Sequence, residues 1–244
     1  MAAPTFVGET ETAWTNTDNF TTAAISVTAG EILVACFIIE GYQPTAGNDD
    51  TYAITDTGTN TWTSRQQVRV NDYCVVEVWT ATAAATTSIT VTITQTTQGG
   101  SRDTLTKGLN VLRFSGSDGI GASAKDNAAT GDADVAITTT QANSAVVVAI
   151  GDWNAVDGVG RAYNTATAGT FTEQSYFRDS AKMTLYVGYY ADASAAAAKT
   201  VGITDPNGTK FSCVAVEVKG TAAAASLPKR SVIISQAVNR AATW

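Results

Sequence analysis

Two glutamates, Glu77 and Glu217, stand in the middle of apolar runs, YCVVEVWTA at 73–81 and KFSCVAVEV at 210–218. Ionised Glu is rarely buried unpaired, and cleavage of a glycosidic bond needs two carboxylates facing each other across a cleft. Strand alternation offers the plainer account. Glu77 shares a face with Tyr73, Val75 and Trp79, and Glu217 with Cys213 and Ala215, so both can lie on outward faces. The closely spaced strand pattern Glu-x-Asp-x-Glu is absent. Histidine is absent from all 244 residues, which removes Ser-His-Asp and Cys-His pairs, the common zinc ligand and the usual general base near neutral pH. The Gly-rich stretch 115–121 (SGSDGIG) lacks the lysine of a phosphate-binding loop. No catalytic residue is assigned, and the expectation is a non-enzyme without cofactor or metal.

Acidic oxygens gather at Asn48-Asp49-Asp50, at Asp132 with Asp134, and at Asp152 with Asp157. Calcium takes six to eight such ligands, but none of these groups follows an EF-hand or a nonapeptide repeat, and turn capping accounts for them. Cys36, Cys74 and Cys213 each sit inside an apolar run, an odd count with no CxxC, so they read as buried free thiols. Trp62, Trp79, Trp153, Tyr163, Tyr189 and Tyr190 could stack on a sugar, but core packing explains aromatics at strand positions. Trp153, in the loop Gly151-Asp-Trp-Asn154, is the candidate for a surface contact, with carbohydrate as its ligand.

These residues must be positioned by strands. Thr, Ala, Val and Gly dominate and only 15% of residues are charged, the vocabulary of strands and turns. Twelve strands are expected, six per half: near 23–28, 32–39, 61–70, 73–81, 88–96 and 108–115, then 134–139, 144–151, 170–177, 182–191, 199–204 and 210–218. Residues 73–94 and 183–204 overlay without a gap, setting Glu77 opposite Val187 and Trp79 opposite Tyr189; 112–116 falls on 216–220 and 32–39 near 145–150. The predicted fold class is therefore all-β, an antiparallel, jelly-roll-like β-sandwich built from two sequence-related halves, about 20–116 and 130–220, joined by a Gly-rich connector at 117–129. Each half lacks an obvious second sheet, so one fused sandwich over 1–221 is preferred. The runs 32–39 and 145–150 are apolar on both faces, which requires either cover on both sides or a partner. Asp205-Pro206-Asn207-Gly208 is a hairpin-type signal, and ADASAAAAK at 191–199 has room for one helical turn.

Residues 222–244 differ in character. All 22 acids lie before Lys219, whereas Lys229, Arg230 and Arg240 lie after it, so of the net −7 the body carries −10 and the tail +3. An acidic body repels phosphates, so nucleic acid is not an expected partner. No apolar run is long enough to span a bilayer, and the N-terminus has no basic or apolar leader pattern; a protein made in the cytoplasm without a signal peptide is expected, and no membrane partner. Val232, Ile233, Ile234 and Trp244 are too apolar for a solvated tail. Together with Lys229, Arg230 and Arg240 they are the candidate contact residues of an arm that docks on a partner, adding a strand to a neighbouring sheet.

VTAGEILV at 27–34, TNTWT at 59–63, NVLRFSG at 110–116 and AVVVAIG at 145–151 resemble duplicated jelly-roll or concanavalin-like sandwich proteins of tailed bacteriophages. The resemblance implies a virion location, as a head decoration, minor capsid, tail or fibre protein, with other virion proteins and further copies of itself as partners. It implies no catalytic residues.

Overall fold

The computed structural model describes residues 2–12, 19–39, 51–68, 74–97, 106–153, 160–165, 167–179, 183–193 and 196–222. Among these there is no helix, and none that could cross a membrane. In the first half the strands are β1 (Thr5–Glu11), β2 (Asn19–Thr21), β3 (Ile25–Val27), β4 (Ile32–Ile39), β5 (Thr51–Asp56), β6 (Thr63–Val68), β7 (Val75–Thr82), β8 (Thr87–Ile89), β9 (Val91–Thr97) and β10 (Lys107–Ser115). The second half contributes β11 (Ile120–Ala128), β12 (Asp134–Thr138), β13 (Ala145–Asp152), β14 (Ala162–Tyr163), β15 (Phe171–Asp179), β16 (Met183–Tyr190), β17 (Ala198–Asp205) and β18 (Phe211–Val218).

Every expected strand is present, except that 88–96 divides into β8 and β9, which lie in different sheets. The expectation missed β1, β2, β5, β11 and β14, which are short, polar or at a sheet edge, with too little apolar alternation to announce themselves. The expected connector is thus largely a strand: Ile120–Ala128 pairs with β18. The hairpin reading of 205–208 also gives way. β17 and β18 belong to different sheets, and the turn, with Gly208 at φ 69°, carries the chain between them.

Two five-stranded antiparallel sheets form the centre, in the orders β1-β10-β4-β7-β6 and β11-β18-β13-β16-β15. Matched in chain order, these are one topology written twice. Each large sheet has its own outer layer: β2-β9-β5 and β3-β8 over the first, β12-β17-β14 over the second. The molecule is therefore four layers deep rather than one fused two-layer sandwich. Alternation along the central strands builds three cores. Leu33, Ala35, Phe37 and Ile39 of β4 face the first outer layer, and Val146, Val148 and Ile150 of β13 face the second. Ile32, Val34, Cys36 and Ile38 instead meet Ala145, Val147 and Ala149 in a core shared by the two large sheets. Doubly apolar strands are thus explained by cover from within the chain. Among the described residues Val7 is the one exposed large hydrophobic side chain.

The large sheets stack with β4 over β13 and β7 over β18, while Phe114 of β10 and Phe6 of β1 pack on Tyr189 of β16. Matching ends lie together: a Cβ on Gly151, at the end of β13, would fall 3.3 Å from Ile38, at the end of β4. The halves are therefore related by an approximate twofold along the strands. One pole gathers the starts of β4 and β13, the ends of β10 and β18, and the bridge between Ala2 and Thr221 from which the chain leaves the body.

Candidate functional site

The carboxylate pair is not a pair. Glu77 lies on the first large sheet facing its outer layer with Val75 and Trp79, and Glu217 lies on the second facing the opposite way with Cys213 and Ala215. Two sheets and the shared core stand between them, a spacing on the order of 10 Å for the sheets alone. Neither is on an outward face, contrary to the alternation reading: both are buried. Alternation assigned the faces correctly, but each face is covered by an outer layer that period-two patterning cannot reveal.

Glu217 is fully engaged. Its carboxylate accepts from the backbone N–H groups of Ala122 (2.8 Å), Thr140 (2.9 Å) and Gln141 (3.0 Å) and from the hydroxyls of Thr140 (2.9 Å) and Ser144 (2.7 Å). Burial by itself would raise its pKa, but these donors outweigh that cost and hold it below the ordinary carboxylate value. Such a group is a stable anion tying β18 to β11 and to the 139–144 turn, and it has no lone pair to spare for a substrate.

The matching position of the first half carries the opposite charge. Arg113 pairs with Leu33 as Glu217 pairs with Val146, and its guanidinium donates to the Ser26 carbonyl and to Glu31 at 3.0 Å. Each residue grips the turn that leads into its central strand. Opposite each, the edge strand has a bulge containing a glycine, Gly8 in β1 and Gly121 in β11. A Cβ on Gly121 would lie 2.0 Å from Glu217 Oε2, and one on Gly8 3.1 Å from Arg113.

A second polar group lies towards the other pole. Arg161 donates from Nε and Nη2 to the two Glu173 oxygens, both at 2.6 Å, covers the Tyr176 ring at 3.8 Å, and shares Glu173 with the Tyr163 hydroxyl. Tyr163 stacks on Phe171 and Tyr176 leans on Tyr186, whose hydroxyl is pushed up by burial and by nearby Asp152. Each of these rings meets another side chain, Phe171 also leaning on Tyr190. The arrangement staples β14 to β15 and closes the second outer core.

Trp153 is half-buried and packs with Phe177 against the shared core, its backbone N–H donating to the Lys210 carbonyl at 2.8 Å. Trp79, Tyr189 and Tyr190 are buried, and Trp62 donates to Asp56, which also caps its own turn through Gly58 and Asn60. Asp134 is pushed up by burial and by Asp132 and Asp126 beside it; among the described residues no three such side chains are placed to hold a metal. The three cysteines are buried and form no disulfide with one another. Residues 48–50 and 157, and the arm residues Lys229, Arg230, Val232, Ile233, Ile234, Arg240 and Trp244, lie outside the described residues. No family model, no curated protein and no solved structure matches the chain.

Proposed function

We propose that this chain is a non-enzymatic structural protein of a bacteriophage virion, a decoration or minor capsid protein held on the particle through its C-terminal arm, residues 222–244. The observation that carries the reading is the contrast between body and arm. Glu217, Arg113, Arg161 and Glu173, which chemistry would have needed, are consumed in holding turns and strands together. The large apolar faces are consumed as well, so a partner contact falls to the segment that departs at Ala222, basic and apolar beside an acidic body. Because the chain leaves at the pole fixed by the Ala2–Thr221 bridge, an arm anchored to a particle would present the opposite pole outward.

Deleting residues 223–244 tests this. The truncated protein should fold with an unchanged circular dichroism spectrum and fail to enter particles; normal incorporation would remove the arm from the account.

One observation favours a second reading, a carbohydrate-binding module of a tail or fibre. Connections at the exit pole run from four residues, as between β3 and β4, to seven, as between β16 and β17, whereas those at the other pole run to eleven between β4 and β5 and nine between β13 and β14. Long connections on a rigid scaffold are where binding residues concentrate. Saturable binding of the isolated protein on a glycan array would support this reading over the first.

A further inference from the structure

The two lateral seams, where edge strands of the stacked large sheets meet, differ in charge. At the β6–β11 seam Ser123 bonds to Gln66 and to the Arg65 carbonyl, and Lys125 Nζ donates to the Gln67 carbonyl at 2.9 Å, so the protein closes that seam with a cation of its own. The β1–β15 seam holds two carboxylates instead. Glu11 accepts from Ser175 at 2.8 Å and Glu9 accepts from Asn110, and among the described residues neither has a cationic partner. Burial raises the pKa of Glu9, the Asn110 bond lowers it, and Glu11 raises it further, as expected where two anions lack a counter-charge.

Asn110 adds an independent sign. It is 1% exposed, and because a carboxylate only accepts, its amide nitrogen must face Glu9. That leaves Oδ1, the other end of the same amide, buried without a donor. Buried orphan acceptors are uncommon in native structures. One N–H-bearing cation entering beside Glu9 would neutralise the carboxylates and supply the missing donor.

We infer that Glu9, Glu11 and Asn110 form a seat for a basic side chain, and that its occupant is the Lys229–Arg230 pair of the same chain. Reach supports the assignment. Glu9 lies seven residues along β1 from Ala2, roughly 23 Å at strand rise; Ala2 is bridged antiparallel to Thr221 and the Ala222 N–H donates to Asp118, so the chain would have to turn back beyond Ala222 to follow β1. The eight residues from Thr221 to Lys229 extend to roughly 26–29 Å, and Lys229 and Arg230 are the first cations after Lys219. Tethering favours this pair over a free partner, since a short linker gives an effective concentration on the order of millimolar. The seat would divide the arm into a stem, 223–230, lying along β1, and a tip, 231–244, left for a neighbour. This rests on the arm reading above.

Trypsin cuts at the two residues in question, so limited digestion of the full-length protein reads the seat directly. Cleavage after Lys229 and Arg230 should be at least tenfold slower than in a synthetic peptide of residues 222–244, cleavage after Arg240 should not be slowed, and the protection should be lost in a Glu9→Gln/Glu11→Gln double variant. Should that variant not fold, Glu11→Gln alone, at an exposed position, is expected to lose part of the protection. In nuclear magnetic resonance spectra, the Asn110 side-chain amide should shift in Lys229→Gln/Arg230→Gln. Equal cleavage of chain and peptide, or protection indifferent to the glutamates, would overturn the seat, and protection that disappears on dilution would place the occupant on a second copy and overturn the same-chain assignment. No particle enters this experiment: a protected stem with normal incorporation of the truncated protein defeats only the virion reading, and an unprotected stem with failed incorporation defeats only the seat.

Discussion

Arg113 and Glu217 occupy equivalent positions in the two halves with opposite charge, and each fastens the turn that leads into its central strand. The scaffold is repeated while the chemistry of its fastening is inverted. Nothing in the sequence repeat, which aligns a cation with an anion, announces a shared role.

Glu217→Gln should destabilise the protein by about 3 kcal/mol, because the amide turns a donor towards the buried N–H groups of Thr140 and Gln141 and removes the charge from several hydrogen bonds. Arg113→Gln should cost less, about 1–2 kcal/mol, since its contacts are fewer and the glutamine amide can still donate to Glu31. Urea unfolding at neutral pH measures both, and equal losses would contradict the difference in engagement.

The same carboxylate sets a pH dependence. Its folded pKa lies below the unfolded value, so the unfolded state takes up the proton first and the stabilisation is complete only above the ordinary carboxylate range. It declines as pH falls through the depressed folded value. Stability of the parent should therefore drop on acidification below about pH 4.5, and the drop should be shallower in Glu217→Gln.

Gly121→Ala should destabilise through Glu217, because the new methyl collides with that carboxylate and with Thr140 Oγ1 at 2.7 Å. A loss of about 2–3 kcal/mol is expected, in the range of overpacking. In a double-mutant cycle the cost of Gly121→Ala should shrink in a Glu217→Ala background; additive losses would show that the glycine is needed for another reason.

The shared core predicts that the halves do not live apart. Residues 1–116 alone would expose the face of Ile32, Val34, Cys36 and Ile38, a patch that drives aggregation. Expressed separately, each half should be insoluble or associate with the other, and the intact chain should unfold in one calorimetric transition. Gly151→Ala, whose Cβ would lie 2.3 Å from Cys74 Cβ in this core, should lower the midpoint of that single transition.

Much of this architecture was legible in residues. Ile32–Ile39 and Ala145–Asp152 announced central strands, and Val91 with Ile93 matched Val201 with Ile203 correctly, because apolar alternation directly reports a buried face. The gapless overlay failed one strand earlier. Sheet register sets Glu77 on Tyr186 and Trp79 on Gly188, one residue away from the sequence match. Runs as uniform as YCVVEVWTA and MTLYVGYY hold no marker to reveal the slip. In the structure the face decides: Val76 and Val78, like Leu185 and Val187, must enter the shared core. The space that Trp79 fills in one half is taken in the other by the Phe171 ring pressed on Gly188.

The sequence by itself determined the class of fold, its apolar strands and the absence of histidine chemistry, since each follows from local alternation or composition. Only the tertiary structure decided that Glu77 and Glu217 point away from each other, that the apolar faces meet inside the chain, and that Glu9, Glu11 and Asn110 share one seam. Those relations depend on which strands become neighbours, and a period-two pattern records that a face is covered without recording what covers it.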